Sequence, residues 1–307
     1  MDQVAKKAVV IREVWEGNLE FEFSLIRSAV KSHSCISIDT EFPGTVIPDI
    51  KNRKFYDLNP EETYSLMKAN VDASKLIQLG LTLSDEHGNL PDFGSGACCV
   101  WQFNFREFDV DKDLQEFSSI ELLKRNGIDF SANKMHGVRS EDFARLFRGC
   151  FGPNCTWVTF HGGYDFGYLT KALTNSDLPR DLGTFRDLLS HYFGISMYDV
   201  KAMMEPFRFR GGLESLAACF NLVRVAGKSH QAGSDSLLTM QVFMKVKEWC
   251  ISRRYATALR PCMPYGLNLE VITHAGRAID ELIGLLQSPG SPVELFKLSA
   301  PNLGCLI

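Results

Sequence analysis

The 307-residue sequence lacks long apolar runs and an excess of basic charge, and each absence excludes a class of protein. No stretch approaches the ~20 consecutive apolar residues of a membrane-spanning helix, so we expect no membrane partner. The apolar segment 8–11 is too short for a signal peptide, and no small-residue cleavage site follows it. Acidic residues number 37 against 33 basic ones, which argues against a protein that coats long nucleic acid by charge alone.

Paired cysteines are also absent, although the chain contains nine cysteines. None forms a Cys-x-x-Cys pair, and Cys150 and Cys155 have no second pair that would complete a zinc site. This pattern argues against a zinc- or redox-based enzyme. It is typical of reduced thiols in a protein of the cytoplasm and nucleus, where we expect this one.

The pattern of apolar residues predicts a mixed α/β protein. Strands are predicted over 35–42, 76–83 and 100–105, with a turn at 85–89 that suggests a long antiparallel hairpin. Two short strands follow, over 157–160 and 197–200. Helical periodicity predicts the other elements, over 14–30, 61–74, 118–126, 140–149, 164–173, 181–193, 213–220 and 235–250. Three antiparallel strands followed by alternating helices and parallel strands predict one central sheet with helices on both faces.

The alternation of helices and strands predicts a single domain over residues 1–256. The remaining segment, 257–307, has a different composition, with an apolar-faced helix predicted over 270–286 and broken by Pro289, Gly290 and Pro292. We expect this C-terminal extension to be partly helical or mobile.

Two acidic residues on the first predicted strand are the first candidates for a functional site. Asp39 and Glu41 are two residues apart, so their side chains point to the same face of the strand. Their apolar neighbours indicate a central strand, although a strand edge with one face in water is the alternative. Burying two bare anions is costly, and a divalent cation such as Mg²⁺ would remove that cost because it binds carboxylate oxygens.

Two later segments supply further candidates. Asp165 begins a predicted helix directly after a strand, where an acid could also be a simple cap or dipole partner. His230 and Asp235 are five residues apart, which on a regular helix would turn their side chains away from each other. Gly233 therefore suggests that His230 lies in a loop, over a site anchored by Asp235; a surface histidine with no function is the alternative.

The order of these residues resembles the DEDDh class of 3′→5′ exonucleases, which have an RNase H-like fold. Longer matches resemble the Caf-type deadenylase subunit of the CCR–NOT mRNA-decay complex, and they run from about residue 11 to 250. They are SIDTEFPG (37–44), LIQLGL (76–81), WQFNF (101–105), FH (160–161), GYDFGYL (163–169), YDVK (198–201) and HQAGSDSLLT (230–239). The loop 45–59 departs from the family pattern.

The resemblance implies hydrolysis of the terminal phosphodiester of single-stranded poly(A) RNA, with release of 5′-AMP. It implies two divalent cations, Mg²⁺ or Mn²⁺, as cofactors. Asp39 would bridge both ions, Glu41 and Asp235 would complete the first, and Asp165 would hold the second. His230 would take the proton from the attacking water. It also implies two partners, a helical scaffold subunit and a second nuclease.

The residues that hold the bases are harder to predict. Phe42, Phe160 and His161 flank the predicted metal ligands and could line the nucleotide pocket, with core packing as the alternative for both phenylalanines. The run 207–212 is basic, aromatic and rich in glycine. It is either a guide for the RNA backbone or a surface turn.

Two other functions are compatible with the sequence. A DEDDh exonuclease could act on other single-stranded RNA or on DNA, and relative rates on the four homopolymers would separate these substrates. A largely scaffolding subunit would need no intact site. The presence of all five residues, Asp39, Glu41, Asp165, His230 and Asp235, argues against that second function.

Overall fold

The computed structural model describes residues 7–49, 53 and 57–267. The helix predicted over 270–286 lies outside these residues. Within them, no helix is both long enough and apolar enough to span a membrane.

Six strands form one mixed sheet at the centre of the molecule. They are β1 (Val9–Val14), β2 (Cys35–Glu41), β3 (Gln78–Ser84), β4 (Cys98–Asn104), β5 (Thr156–Thr159) and β6 (Met197–Asp199). Their order across the sheet is β1-β4-β3-β2-β5-β6. The β2–β3 and β3–β4 pairs are antiparallel, whereas β1–β4, β2–β5 and β5–β6 are parallel. β2 is therefore an interior strand.

Ten α-helices are described. They are α1 (Leu19–Ala29), α2 (Pro60–Ala73), α3 (Phe117–Arg125), α4 (Phe130–His136), α5 (Ser140–Phe147), α6 (Gly163–Thr174), α7 (Leu182–Phe193), α8 (Val200–Met203), α9 (Leu213–Cys219) and α10 (Ala232–Ser252). The start of α2 illustrates how local sequence sets an element: the Asn59 side chain accepts the Glu62 N–H, and the Glu62 carboxylate accepts the Asn59 N–H in return.

Helices cover both faces of the sheet because the strands alternate apolar residues between two cores. Ile36 and Ile38 of β2 face the larger core, together with side chains from α1, α2, α5, α6 and α7. Cys35 and Val158 belong to the opposite core, which α10 dominates. α10 lies across β2, β3, β4 and β5. Because Asp39 and Glu41 share the parity of Cys35, β2 directs both acids toward the α10 side.

The structure confirms the mixed sheet, the β3–β4 hairpin and the helices on both faces. It also corrects the prediction at the N-terminus, since the predicted helix 14–30 begins only at Leu19 and a strand, β1, precedes it. That strand pairs in parallel with β4, a partner about 90 residues away that local pattern does not reveal. The short helices α4 and α8 were also not predicted from the sequence.

The beginning of the C-terminal extension packs on the domain. Ala258 is buried, and Leu267 is only 1% exposed and belongs to the larger core. The Cys262 N–H donates to the carbonyl of Met197 at the end of the sheet. The predicted boundary at residue 256 stays a prediction, but the chain keeps contact with the domain as far as residue 267.

Candidate active site

The C-terminal end of β2 carries the first two acids of the site. Glu41 is only 8% exposed and Asp39 is half-buried. β2 is hydrogen-bonded on both sides, to β3 and to β5. These acids therefore lie on an interior strand, at its C-terminal end beyond the pairing with β5, and the strand-edge alternative does not apply.

The start of α10 is seated on the sheet beside these acids. Gly80, the β3 partner of Asp39, has no side chain, and a Cβ placed there would lie 1.8 Å from the carbonyl oxygen of Ala232. The Gly233 N–H donates to Gln102 Oε1 at 2.9 Å, and Ser37 Oγ donates to the carbonyl of Ser236 at 2.7 Å. This close approach brings the first turn of α10, which includes Asp235, to the end of β2.

Asp235 is held in place by two donors. Arg224 Nη2 donates to its Oδ1 at 2.6 Å, and the His230 N–H donates to its Oδ2 at 2.8 Å. The backbone of His230 has a φ of +59°, in the left-handed region, and its side chain is exposed. His230 therefore lies in a loop before α10, as predicted, and Asp235 anchors that loop.

Asp165 reaches the site from the side of the larger core. It lies in the first turn of α6 and is 6% exposed. Thr40 Oγ1, which points to the α6 side of β2, donates to Asp165 Oδ1 at 2.6 Å. This hydrogen bond fixes the carboxylate beside the strand end that carries Asp39 and Glu41.

Burial raises the pKa values of all four carboxylates, and neighbouring acids of the cluster raise those of Asp39 and Glu41 further. Burial raises the pKa of Asp39 well above its usual range, and the charges of Asp165, Asp235 and Glu41 raise it further. The pKa of Glu41 is raised in the same way, by burial and then by Asp235 and Asp165. Burial raises the pKa of Asp165 to about 7. It also raises that of Asp235, against the opposing effect of Arg224. Raised pKa values at four neighbouring carboxylates indicate a site that is short of positive charge.

This arrangement fits a divalent cation. Among the described residues, Glu41, His230 and Asp235 offer ligand atoms that all lie within 4.8 Å of one another. Carboxylate oxygens are the ligands that Mg²⁺ and Mn²⁺ prefer. The resemblance assigned Glu41 and Asp235 to the first ion, with Asp39 bridging both ions and His230 outside the ligand set. The structure brings the two carboxylates together and places the imidazole at the same point.

Of the three predicted base contacts, Phe42 packs beside α6, whereas Phe160 and His161 directly follow β5. Phe42 stacks on Tyr164 and Tyr168, with ring centroids 5.1 and 4.9 Å apart, and packs against the larger core. Phe160 is half-buried, with Lys201 Nζ 5.7 Å from its ring. His161 is exposed, in the turn between β5 and α6, with a φ of +63°. Because β5 runs parallel to β2, this turn adjoins the carboxylates.

Sequence reasoning missed three residues that organise the site. Thr40 orients Asp165, and Arg224 binds Asp235. Asp199 is 1% exposed and accepts the N–H groups of His161 and Gly162 at 2.9 and 2.8 Å. Asp199 is an acid at the end of a predicted strand, within the matched YDVK segment. Its position was therefore the one sequence signal that could have identified it as a site residue.

Comparisons with known proteins agree with this geometry. The model of the CAF1 family ribonuclease matches residues 14–146. The chain is 46% identical over 276 residues to "Probable CCR4-associated factor 1 homolog 10" of Arabidopsis thaliana, covering 88% of this chain and 96% of that protein. It is 40% identical over 251 residues to "Poly(A) ribonuclease pop2" of Schizosaccharomyces pombe, covering 80% and 72% of the two chains.

Two solved structures are similar over most of the chain. Schizosaccharomyces pombe Pop2p in a form with Mg²⁺ and Mn²⁺ bound has a TM-score of 0.76 and 39% identity, and covers 84% of this chain and 99% of its own. The CAF1 chain crystallised with the yeast NOT1 MIF4G domain has a TM-score of 0.64 and 32% identity, with 79% and 90% covered.

The mixed sheet with helices on both faces places the chain in the class of RNase H-like folds. Within that class, the chain belongs to the CAF1 ribonuclease family. The resemblance seen in the sequence is thereby confirmed.

Proposed function

We propose that this chain shortens the poly(A) tails of mRNA from the 3′ end and releases 5′-AMP, as a catalytic subunit of the CCR–NOT complex. One observation carries the proposal: the fold brings four acids from three elements, with the His230 loop, to the end of β2. The names of its relatives, poly(A) ribonuclease and CCR4-associated factor, support this substrate and this complex.

The proposed cofactors are two divalent cations, Mg²⁺ or Mn²⁺. The residues that would hold them are Asp39, Glu41, Asp165 and Asp235. When bound, such ions neutralise the scissile phosphate and stabilise the attacking and leaving oxygens of an in-line displacement. A Pop2p structure with Mg²⁺ and Mn²⁺ bound supports the choice of metal.

The protein's own residues have separate tasks in this reaction. His230 accepts the proton of the attacking water through its exposed imidazole. Asp235 holds the main chain of that histidine, and Arg224 holds Asp235. Thr40 keeps the Asp165 carboxylate turned toward the end of β2. His161, Phe160 and Phe42 are the proposed contacts to the bases, and the exposed turn makes His161 the strongest of the three.

The partners and location are also proposals. We propose a helical scaffold subunit, a second nuclease and single-stranded poly(A) RNA as partners. A CAF1 chain crystallised with the NOT1 MIF4G domain supports the scaffold. We propose that the protein works in the cytoplasm and the nucleus, as its unpaired cysteines suggest.

An assay with labelled RNA tests the activity. The full chain with Mg²⁺ is given 3′ tails of A, C, G or U, and the tail of A should be shortened fastest. EDTA should stop the reaction, and Mg²⁺ or Mn²⁺ should restore it. Equal rates on the four tails would contradict the preference for poly(A), and full activity in EDTA would contradict the role of the metals.

A pair of variants tests the site. Asp39→Ala should abolish cleavage because it removes the central acid of the cluster. Asp177→Ala is the matched control, because Asp177 is exposed beyond the opposite end of α6. If Asp39→Ala cleaves as fast as the control, the proposed active site is wrong, and no cleavage even by the unaltered chain would favour a scaffolding role.

A further inference from the structure

Each of the two acids at the end of β2 begins a row of residues that crosses the sheet. Residues paired on neighbouring strands direct their side chains to the same face, here the face that α10 covers. The first row is Asp39, Gly80, Gln102 and Glu13, and the second row is Glu41, Gln78 and Asn104. The first row connects the acids with the edge strand β1.

The start of α10 needs hydrogen-bond acceptors from outside the helix, because the first N–H groups of a helix have no partner within it. The carbonyl of Gln231 accepts the N–H groups of Ser234 and Asp235. The Gln231 side chain, however, makes no capping hydrogen bond. The N–H groups of Ala232 and Gly233 therefore depend on other elements.

Two glutamines of the sheet supply these acceptors. The Gly233 N–H donates to Gln102 Oε1 at 2.9 Å, and the Ala232 N–H donates to Gln78 Oε1 at 3.5 Å. Both glutamines are 3% exposed. A Cβ placed at Gly233 would lie 2.9 Å from Ile11 Cγ2, so the helix start also packs directly against β1.

Glu13 determines which way these amide groups point. Gln102 Nε2 donates to both of its carboxylate oxygens, at 3.0 and 3.2 Å, and Asn104 Nδ2 donates to Oε2 at 2.7 Å. Gln78 Nε2 in turn donates to Asn104 Oδ1 at 2.7 Å. Because an ionised carboxylate only accepts hydrogen bonds, the amide nitrogens point along this chain toward Glu13. The oxygens of Gln102 and Gln78 are left facing α10.

We propose that Glu13, an exposed residue of the edge strand β1, is a positioning residue for the active site. It acts through three amide side chains, which hold the first turn of α10 and therefore Asp235. This inference rests on the proposed function, because Asp235 is a proposed metal ligand. Groups that orient a metal ligand typically change metal affinity or activity by about 10–100-fold when they are replaced.

Three measurements on Glu13→Ala test this role. The Gly233 N–H should exchange with solvent about tenfold faster, the effect of weakening one hydrogen bond. The dissociation constant of Mg²⁺, measured by calorimetry without RNA, should rise about tenfold, and kcat on an A-tail should fall about tenfold.

Two further variants separate the acceptor role from other effects. Glu13→Gln should restore all three values, because an amide oxygen at the Oε2 position can still accept from Gln102 and Asn104. Glu248→Ala removes an exposed acid near the other end of α10. It is the matched control and should behave like the unaltered chain.

Faster exchange confined to the first turn of α10, with weaker Mg²⁺ binding, would support the proposal. Unchanged exchange at Gly233 or unchanged Mg²⁺ affinity in Glu13→Ala would overturn it. Equal impairment of Glu13→Gln, or faster exchange throughout the protein, would also overturn it by indicating general destabilisation. If Glu13→Ala does not fold, Glu13→Ser takes its place with the same outcomes. Absence of cleavage by the unaltered chain would contradict the proposed function instead, and exchange and Mg²⁺ binding would still test the role of Glu13.

Discussion

At the scale of single residues, the main chain of His230 is fixed while its side chain is exposed. Asp235 accepts its N–H at 2.8 Å, and the left-handed backbone turns the residue out of the α10 helix. The imidazole lies near Glu41 and Asp235. This is a suitable position for a general base, since the group can reach a water molecule at the acids without being part of the rigid core.

Replacing His230 by alanine should slow turnover by about 10²–10⁴-fold, the usual contribution of a general base. The metal requirement should change little, because the four carboxylates remain. Turnover is measured at saturating Mg²⁺, and the Mg²⁺ concentration that gives half the maximal rate is measured separately.

His87→Ala provides the control for this experiment, since His87 is exposed in the turn between β3 and β4 and faces no catalytic group. It should leave both measurements unchanged. A large increase in the Mg²⁺ requirement of His230→Ala would show instead that the imidazole is a metal ligand.

The principal residues of the candidate site could be predicted from sequence, and their supporting residues could not. Asp39 and Glu41 are recognisable because their spacing and their apolar strand are local features. Arg224 and Thr40 act on acids that are distant in sequence or lie on another element, so their roles exist only once the chain is folded. The stacking of Phe42 on Tyr164 is another contact between elements that the sequence did not predict, and the contact of Phe42 with a base stays a prediction.

At the scale of elements, the geometry of the site depends on how closely α10 approaches the sheet. Gly80 leaves the space that the carbonyl of Ala232 fills, and it is the β3 neighbour of Asp39. The helix start and the strand end are therefore in contact at the point where the acids meet. Any side chain at this position must displace one element from the other.

Gly80→Ala should destabilise the fold by about 3 kcal/mol, at the upper end of the range for overpacked cores. Its cleavage rate should also fall, because the displaced helix carries Asp235. The free energy of unfolding is measured by urea titration, and the rate is measured on an A-tail below the unfolding transition.

Gly17→Ala is the matched substitution, because a Cβ at Gly17 meets nothing within 4 Å. It should keep full activity and a stability close to that of the unaltered chain. If Gly80→Ala is as stable and as active as Gly17→Ala, the close contact between α10 and β3 does not position Asp235.

The elements themselves were largely predictable, with three exceptions: β1, α4 and α8. Most helices and the five later strands carry apolar patterns long enough to identify them. β1 is six residues long, and its partner β4 begins at Cys98, so its pairing is invisible locally and its last residue fits the start of a helix. α4 and α8 are only seven and four residues long, which is too short for a clear helical period.

At the scale of the whole molecule, part of the acidity behind the net charge of −4 is concentrated in the candidate active site. Four of the 37 acids, three of them buried and Asp39 half-buried, are concentrated at the end of β2. Arg224 is the basic group that acts on them most directly. Without cations, ionising these acids in the folded state is unfavourable. The net negative charge argues against charge-driven binding of long RNA. It is nevertheless compatible with a site that binds the last nucleotides through metal ions.

The metal-free protein should therefore lose stability as the pH rises toward neutrality. Burial raises the pKa of Asp165 from 3.8 to about 7 in the folded state, so the folded protein binds a proton that the unfolded chain releases. This contribution is fully present below pH 3.8 and is lost as the pH passes 7, and it amounts to at most about 4 kcal/mol. Unfolding by urea in EDTA between pH 5 and 8 measures it.

Asp165→Asn isolates that contribution, because an amide cannot ionise and should flatten the pH dependence. Asp177→Asn, at an exposed position past the other end of α6, should leave the dependence intact. Excess Mg²⁺ should also flatten it in the unaltered chain, since bound cations stabilise the ionised acids in the folded state. A stability that rises with pH from 5 to 8 in EDTA would mean that Asp165 is ionised in the metal-free fold, and that Arg224 and the backbone already balance the charge of the cluster.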